Sequence, residues 1–112
     1  VISLSTADRR LGLAALAALS AAARTSPVYL SGLDVDHLRE LARWLDAVRP
    51  DRISAWDARA LGEAMRTAAI APGVIPTRVQ KADLVAAGQW LIDSARRVRA
   101  TAQTATTGRS AR

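Results

Sequence analysis

A chain of 112 residues with 16 basic and 10 acidic side chains carries a formal net charge of +6, and half of it is apolar. It contains no Cys, which excludes a disulfide scaffold and thiolate chemistry. Its length sets one domain with a core of limited size.

Much of the apolar half is Ala, and the aromatics are three Trp and one Tyr, with no Phe. Ala favours helix but buries little area, so the core must be thin and the helices closely packed. The positive charge is uneven. Residues 78–112 hold seven basic side chains (Arg78, Lys81, Arg96, Arg97, Arg99, Arg109, Arg112) against Asp83 and Asp93, whereas the residues before them nearly balance at nine basic and eight acidic. A surface of this sign favours anionic partners.

Arg9-Arg10 ahead of the apolar run 11–19 imitates a secretory leader, with Ala21-Ala22-Ala23 in the place of a cleavage site. Asp8 fits that reading poorly, and the uncharged stretch 11–23 is too short to span a membrane. A buried helix is the better reading. No membrane span is expected, secretion is not supported, and the expected setting is the cytoplasm or a macromolecular assembly.

Four helices follow in chain order. The first covers about 6–24. Ser5 and Asp8 have capping-box spacing, and Leu4 is placed as a staple residue. Leu11, Leu13, Leu16 and Leu19, with Ala between them, leave little polar face and predict a helix contacted on several sides. A connector over 25–33 contains Pro27 and Gly32. Its Val28-Tyr29-Leu30 triplet is locally extended but too short to make a sheet.

The second helix covers about 35–49, with Asp34 as N-cap and an apolar stripe of Leu38, Leu41, Leu45 and Val48. Pro50 stops it. The third begins after Ser54, again with Asp three positions on, and carries Leu61, Ala64, Met65 and Ala68 on one side. Ile53 is its staple residue. Pro72 and Gly73 make a turn over 71–76. The fourth begins after Thr77, with Gln80 completing a capping box, and extends to about Ala100. Residues 101–112, rich in Thr, Ala and Arg, read as a flexible basic tail. The fold class is therefore all-α: a compact four-helix bundle over 1–100 with a basic tail over 101–112.

A weak internal echo runs through this order. Ser5, Asp8, Arg10 and Gly12 are matched by Ser54, Asp57, Arg59 and Gly62, and Leu38, Trp44 and Leu45 by Leu84, Trp90 and Leu91. The pattern points to two related helical hairpins around a pseudo-twofold, although caps and amphipathic periodicity alone reproduce such matches.

Chemistry is not legible in the chain. His37 is the sole histidine and sits in a first helical turn beside Asp34, Asp36 and Glu40. A metal site needs several converging ligands, and a nucleophile relay needs an orienting third group. Asp8, Asp34, Asp57 and Asp83 all fall near helix starts, where the helix dipole accounts for them. Gly12, Gly62 and Gly88 are isolated within helices, where they cost stability unless another backbone approaches closely, so they mark helix packing. No catalytic residue, metal, cofactor or small-molecule substrate is assigned, and a non-enzyme is expected. A helix-turn-helix reading of helices two and three places Arg59 beside Trp56 and Asp57, with no Asn or Gln for adenine edges.

Two features remain. Trp90 points away from the stripe of Leu84, Ala87, Gly88, Leu91, Ala95 and Val98 and lies near Ala86 and Arg97. A bundle does not need both faces of its last helix, so Trp90, Ala86 and Arg97 are a candidate protein interface, unless the tail or first connector covers them. Arg96, Arg97, Arg99, Arg109 and Arg112 form the alternative, a sequence-nonspecific nucleic-acid contact through phosphates. Cations at a helix C-terminus also have the dipole as sufficient reason. The reading is a structural or adaptor protein that assembles with a protein partner or with itself. Nucleic-acid binding is the runner-up.

Overall fold

The computed structural model describes residues 2–25, 35–71, 74, 76 and 79–110. Within them the chain forms a compact bundle of four helices: α1 (Thr6–Thr25), α2 (Val35–Val48), α3 (Ala55–Ile70) and α4 (Lys81–Ser110). Two short strands, β1 (Ile2–Ser3) and β2 (Arg52–Ile53), precede α1 and α3. Of the connector expected over 25–33, Thr25 ends α1, and the rest of it, the Asp34 cap and the Pro72-Gly73 turn lie outside the described residues.

The helix starts follow local chemistry. Ser5 Oγ accepts from the Asp8 amide at 3.0 Å, and Ser54 Oγ accepts from the Asp57 amide at 3.1 Å. Each satisfies one of the amides that a first turn leaves without an intrahelical partner. The fourth helix starts at Lys81, later than the expected start after Thr77, and the Gln80 carbonyl accepts the first intrahelical bond from Leu84 at 3.1 Å. It also runs ten residues past Ala100, where residues 101–107 contain no Gly or Pro to break it. At thirty residues it is about 45 Å long.

The strand pair is the departure from an all-helical reading. β1 and β2 run antiparallel with Ile2 opposite Ile53 and Ser3 opposite Arg52, and the Leu4 amide donates to the Asp51 carbonyl at 2.7 Å. Ile2, Leu4 and Ile53 are buried, so the ribbon is a lid on the core as well as a backbone pairing. Ser3 and Arg52 are 49 positions apart, the same shift that separates Ser5 from Ser54 and Asp8 from Asp57. Applied to the Ile2–Ile53 pair, that shift yields Asp51 and Leu4, which are themselves bonded. The ladder maps onto itself, and the two caps lie on either side of a local twofold.

α3 is the central element. It contacts α1, α2 and α4, and it buries Ala58, Leu61, Gly62, Ala64, Met65, Ala68 and Ala69. Leu16 and Leu19 of α1, Leu38, Leu41 and Leu45 of α2, and Leu84, Leu91 and Ala95 of α4 complete one core, with Val74 plugging the end between α3 and α4. α1 contacts α2, α3 and α4, with Leu11 and Leu13 packed partly buried against the core, although Ala17, Ser20 and Ala21 are left exposed. Val48 also leaves the core and is 60% exposed. It is the last residue of α2, after which Arg49 takes a left-handed conformation (φ 52°) and turns the chain. Arg9 braces this turn, donating from Nη1 to the carbonyls of Arg49 and Pro50 at 3.2 and 3.3 Å.

The glycines do what isolated helical glycines do when two helices touch. α3 and α4 approach so closely at Gly62 and Gly88 that neither position has room for a Cβ. The residue that corresponds to Gly88 in the first hairpin, by the match of Leu38 with Leu84, is Ala42. The first pair of helices therefore lacks the paired glycines, and α1 and α2 are in less extensive contact than α3 and α4. The echo holds at the strands and caps and fades at the hairpin packing. Among the described residues, no helix is long and apolar enough to cross a membrane.

Candidate functional site

Trp90 stands on the outer side of α4 and is 43% exposed. Leu84, Leu91 and Ala95 already fill the inner side, so no core position is open to the indole. Ala86 is exposed one turn before it, and Arg97 is exposed two turns after. At helical spacing the three share a flank. Arg97 is held along it: its Nη2 donates to the hydroxyl of buried Ser94 at 3.2 Å. The three residues named for the protein interface thus come together on one strip of surface.

The basic tract does not stay together. Arg96 and Arg99 turn to the opposite flank of α4, where they line a groove of about 510 Å³ against α3 with Arg59, Glu63, Ile92, Ala95 and Ala100. Arg97 is not among these residues. Arg59 Nε donates to Glu63 Oε1 at 3.2 Å along α3, with both side chains roughly half exposed. Arg96 lies 3.9 Å from Asp93, whose carboxylate also accepts from Gln89 Nε2 at 2.9 Å. Arg99 makes no ion pair among the described residues. The side chain of Arg109 and the whole of Arg112 lie outside the described residues.

His37 is the partly exposed helix-start residue expected from its place in the chain, and it also reaches a second helix. Its Nε2 is 2.8 Å from Asp57 Oδ1, and its ring stacks on Trp56 with centroids 6.2 Å apart and planes at 22°. The Ser54 hydroxyl caps α3 at the same Asp57 backbone. The cluster joins the start of α2 to the start of α3. Among the described residues, no three His, Cys, Asp or Glu side chains form a group that could hold a metal ion.

In the helix-turn-helix reading α3 is the recognition helix, and α1, α2 and α4 leave it one outer strip. That strip carries Trp56, Arg59, Glu63, Arg66 and Ile70, spaced three and four residues apart. Its periodicity is visible in the sequence, but its meeting with Arg96 and Arg99 depends on the Gly62–Gly88 approach, which no local pattern reveals. No family model, curated protein or solved structure matches the chain.

Proposed function

We propose that this protein is a non-enzymatic structural or adaptor unit that assembles with other protein through the outer flank of α4. The observation that carries this reading is Trp90, 43% exposed on a helix whose inner side is already filled. Large aromatics in such positions supply much of the binding energy at protein interfaces, where burial on contact recovers area left in water. The Arg97 guanidinium, bonded to Ser94 on the same flank, adds a positive charge that an acidic group of the partner can meet. The nucleic-acid alternative treats Arg96, Arg97 and Arg99 as one phosphate-binding tract, and it receives less support because Arg97 lies on the other flank.

Solution mass by light scattering tests this reading, with native protein and Trp90→Ala measured across a range of concentrations. The expected result is a defined assembly that Trp90→Ala weakens. A strict monomer at every concentration removes self-association. The heterologous form then requires a protein partner whose affinity falls at least tenfold with Trp90→Ala. An equal affinity overturns it.

A further inference from the structure

The α3/α4 groove is independent of the Trp90 strip, because Arg99 and Trp90 are about 180° apart around α4 at 100° per residue. Its two walls run antiparallel: Gly62 meets Gly88 and Ile92, while Met65 and Arg66 meet Gly88. Higher positions on α3 therefore face lower positions on α4. Along α3 the exposed strip begins with Trp56, passes Arg59, Glu63 and Arg66, and ends with Ile70. Trp56 is 64% exposed and Ile70 is 71% exposed. On α4 the corresponding side carries Val85, Ile92, Arg96 and Arg99, of which Val85 is exposed and Ile92 is largely buried but lines the groove.

The composition of this face is specific. Ile92, Ala95 and Ala100 form its apolar floor, of which Ile92 and Ala95 are almost fully buried. Bulky apolar side chains stand at both ends of the α3 wall. Between them are four guanidiniums (Arg59, Arg66, Arg96 and Arg99) against two carboxylates, Glu63, which engages Arg59, and Asp93, which lies 3.9 Å from Arg96. A nucleic-acid backbone would use the arginines but would leave Ile70, Val85 and the floor without partners. An amphipathic helix uses both kinds of group, since its apolar stripe covers the floor and end residues while acidic side chains on either side reach the guanidiniums.

We infer that the groove between α3 and α4 docks an acidic amphipathic helix of a partner protein, with Trp56, Ile70 and Ile92 as apolar contacts and Arg59, Arg96 and Arg99 as charge contacts. Glu63 weakens this docking by holding Arg59 and by repelling the incoming carboxylates.

Fluorescence anisotropy at low salt tests this with three labelled probes. They are an 18-residue peptide with Leu at successive i, i+3, i+4, i+7 positions and Glu on the flanks, a peptide of identical composition in scrambled order, and a random 20-base-pair duplex. The striped peptide is expected to bind at least tenfold more tightly than the scrambled one. Trp56→Ala and Arg99→Ala should each weaken it roughly five- to tenfold. Glu63→Gln should tighten it, and Arg43→Ala, which removes a charge from exposed α2, should leave it unchanged. Circular dichroism confirms that each variant is folded.

Equal affinity for striped and scrambled peptides overturns the proposal, because the face then reads charge alone. Tighter binding of the duplex, lost with Arg59→Ala and Arg99→Ala, overturns it in favour of a phosphate surface. No binding of the striped peptide also overturns it. None of these results alters the mass measurements on Trp90, so the two surfaces stand or fall separately.

Discussion

Gly62 and Gly88 meet backbone to backbone: a Cβ built on Gly62 falls 2.6 Å from the Gly88 carbonyl oxygen, and one built on Gly88 falls 2.8 Å from that of Gly62. Neither oxygen can move without displacing its own helix. Gly62→Ala and Gly88→Ala should each destabilise the protein by about 1–3 kcal/mol, even though Ala gains about 1 kcal/mol of helix propensity over Gly. Gly12→Ala is the control. Its new methyl meets only the Leu61 side chain, at 2.9 Å from Cδ1, and a side chain yields more readily than backbone, so the two effects should cancel to within about 1 kcal/mol. Urea unfolding of the three variants separates these cases. A Gly88→Ala protein as stable as the native one would show that the helices do not approach this closely.

The two serine caps should be energetically alike. Ser5→Ala and Ser54→Ala each remove one bond to an amide three residues on, at 3.0 and 3.1 Å. Each should cost about 1 kcal/mol, and Gly at the same positions should cost only a few tenths. Thermal or urea unfolding measures both. A large loss at one site and none at the other would mean that the matching caps do not have matching roles.

His37 and Asp57 should be coupled. Their side chains are 21% and 30% exposed, so the pair is partly screened, and a double-mutant cycle with His37→Ala and Asp57→Ala should give about 0.5–1 kcal/mol of interaction. The His37→Ala change should also alter tryptophan fluorescence, because it uncovers one face of Trp56. Additive losses would show that the pair is a proximity without energetic content.

Arg49 occupies a conformation that suits glycine. With φ at 52° and Pro50 behind it, it closes α2 as a left-handed residue. Arg49→Gly removes the Cβ strain and leaves the carbonyl that Arg9 uses in place. It should stabilise the protein by up to about 1 kcal/mol in urea unfolding. A loss of stability would show that the arginine side chain itself holds the turn.

Much of the helical architecture could be read locally. Ser5, Ser54, the apolar stripes of α2 and α3, and the unexplained helical glycines each state a requirement that one segment can meet. The strand pair could not be read this way. Ile2-Ser3 and Arg52-Ile53 are too short to show alternation, and only their mutual register makes them strands. The His37–Asp57 contact was hidden for a similar reason, since both residues have sufficient local explanations at helix starts. Arg96, Arg97 and Arg99 looked like one tract because they are adjacent in sequence. A helix turns by about 100° per residue, and that rotation sends Arg97 to Trp90 and its neighbours to Arg59.

The pairing of β1 with β2 also bears on the order of folding. It closes a loop of about fifty residues, whereas α3 and α4 are separated only by residues 71–80. Local closure costs less chain entropy and precedes distant closure. The α3–α4 hairpin should therefore be formed in the transition state, and the ribbon should close after it. Gly88→Ala is then expected to slow refolding, while Ile2→Ala leaves refolding unchanged and accelerates unfolding, which stopped-flow chevrons would distinguish. The first residues of the chain act as a latch: they set how long the native state lasts and have little influence on how quickly it is reached.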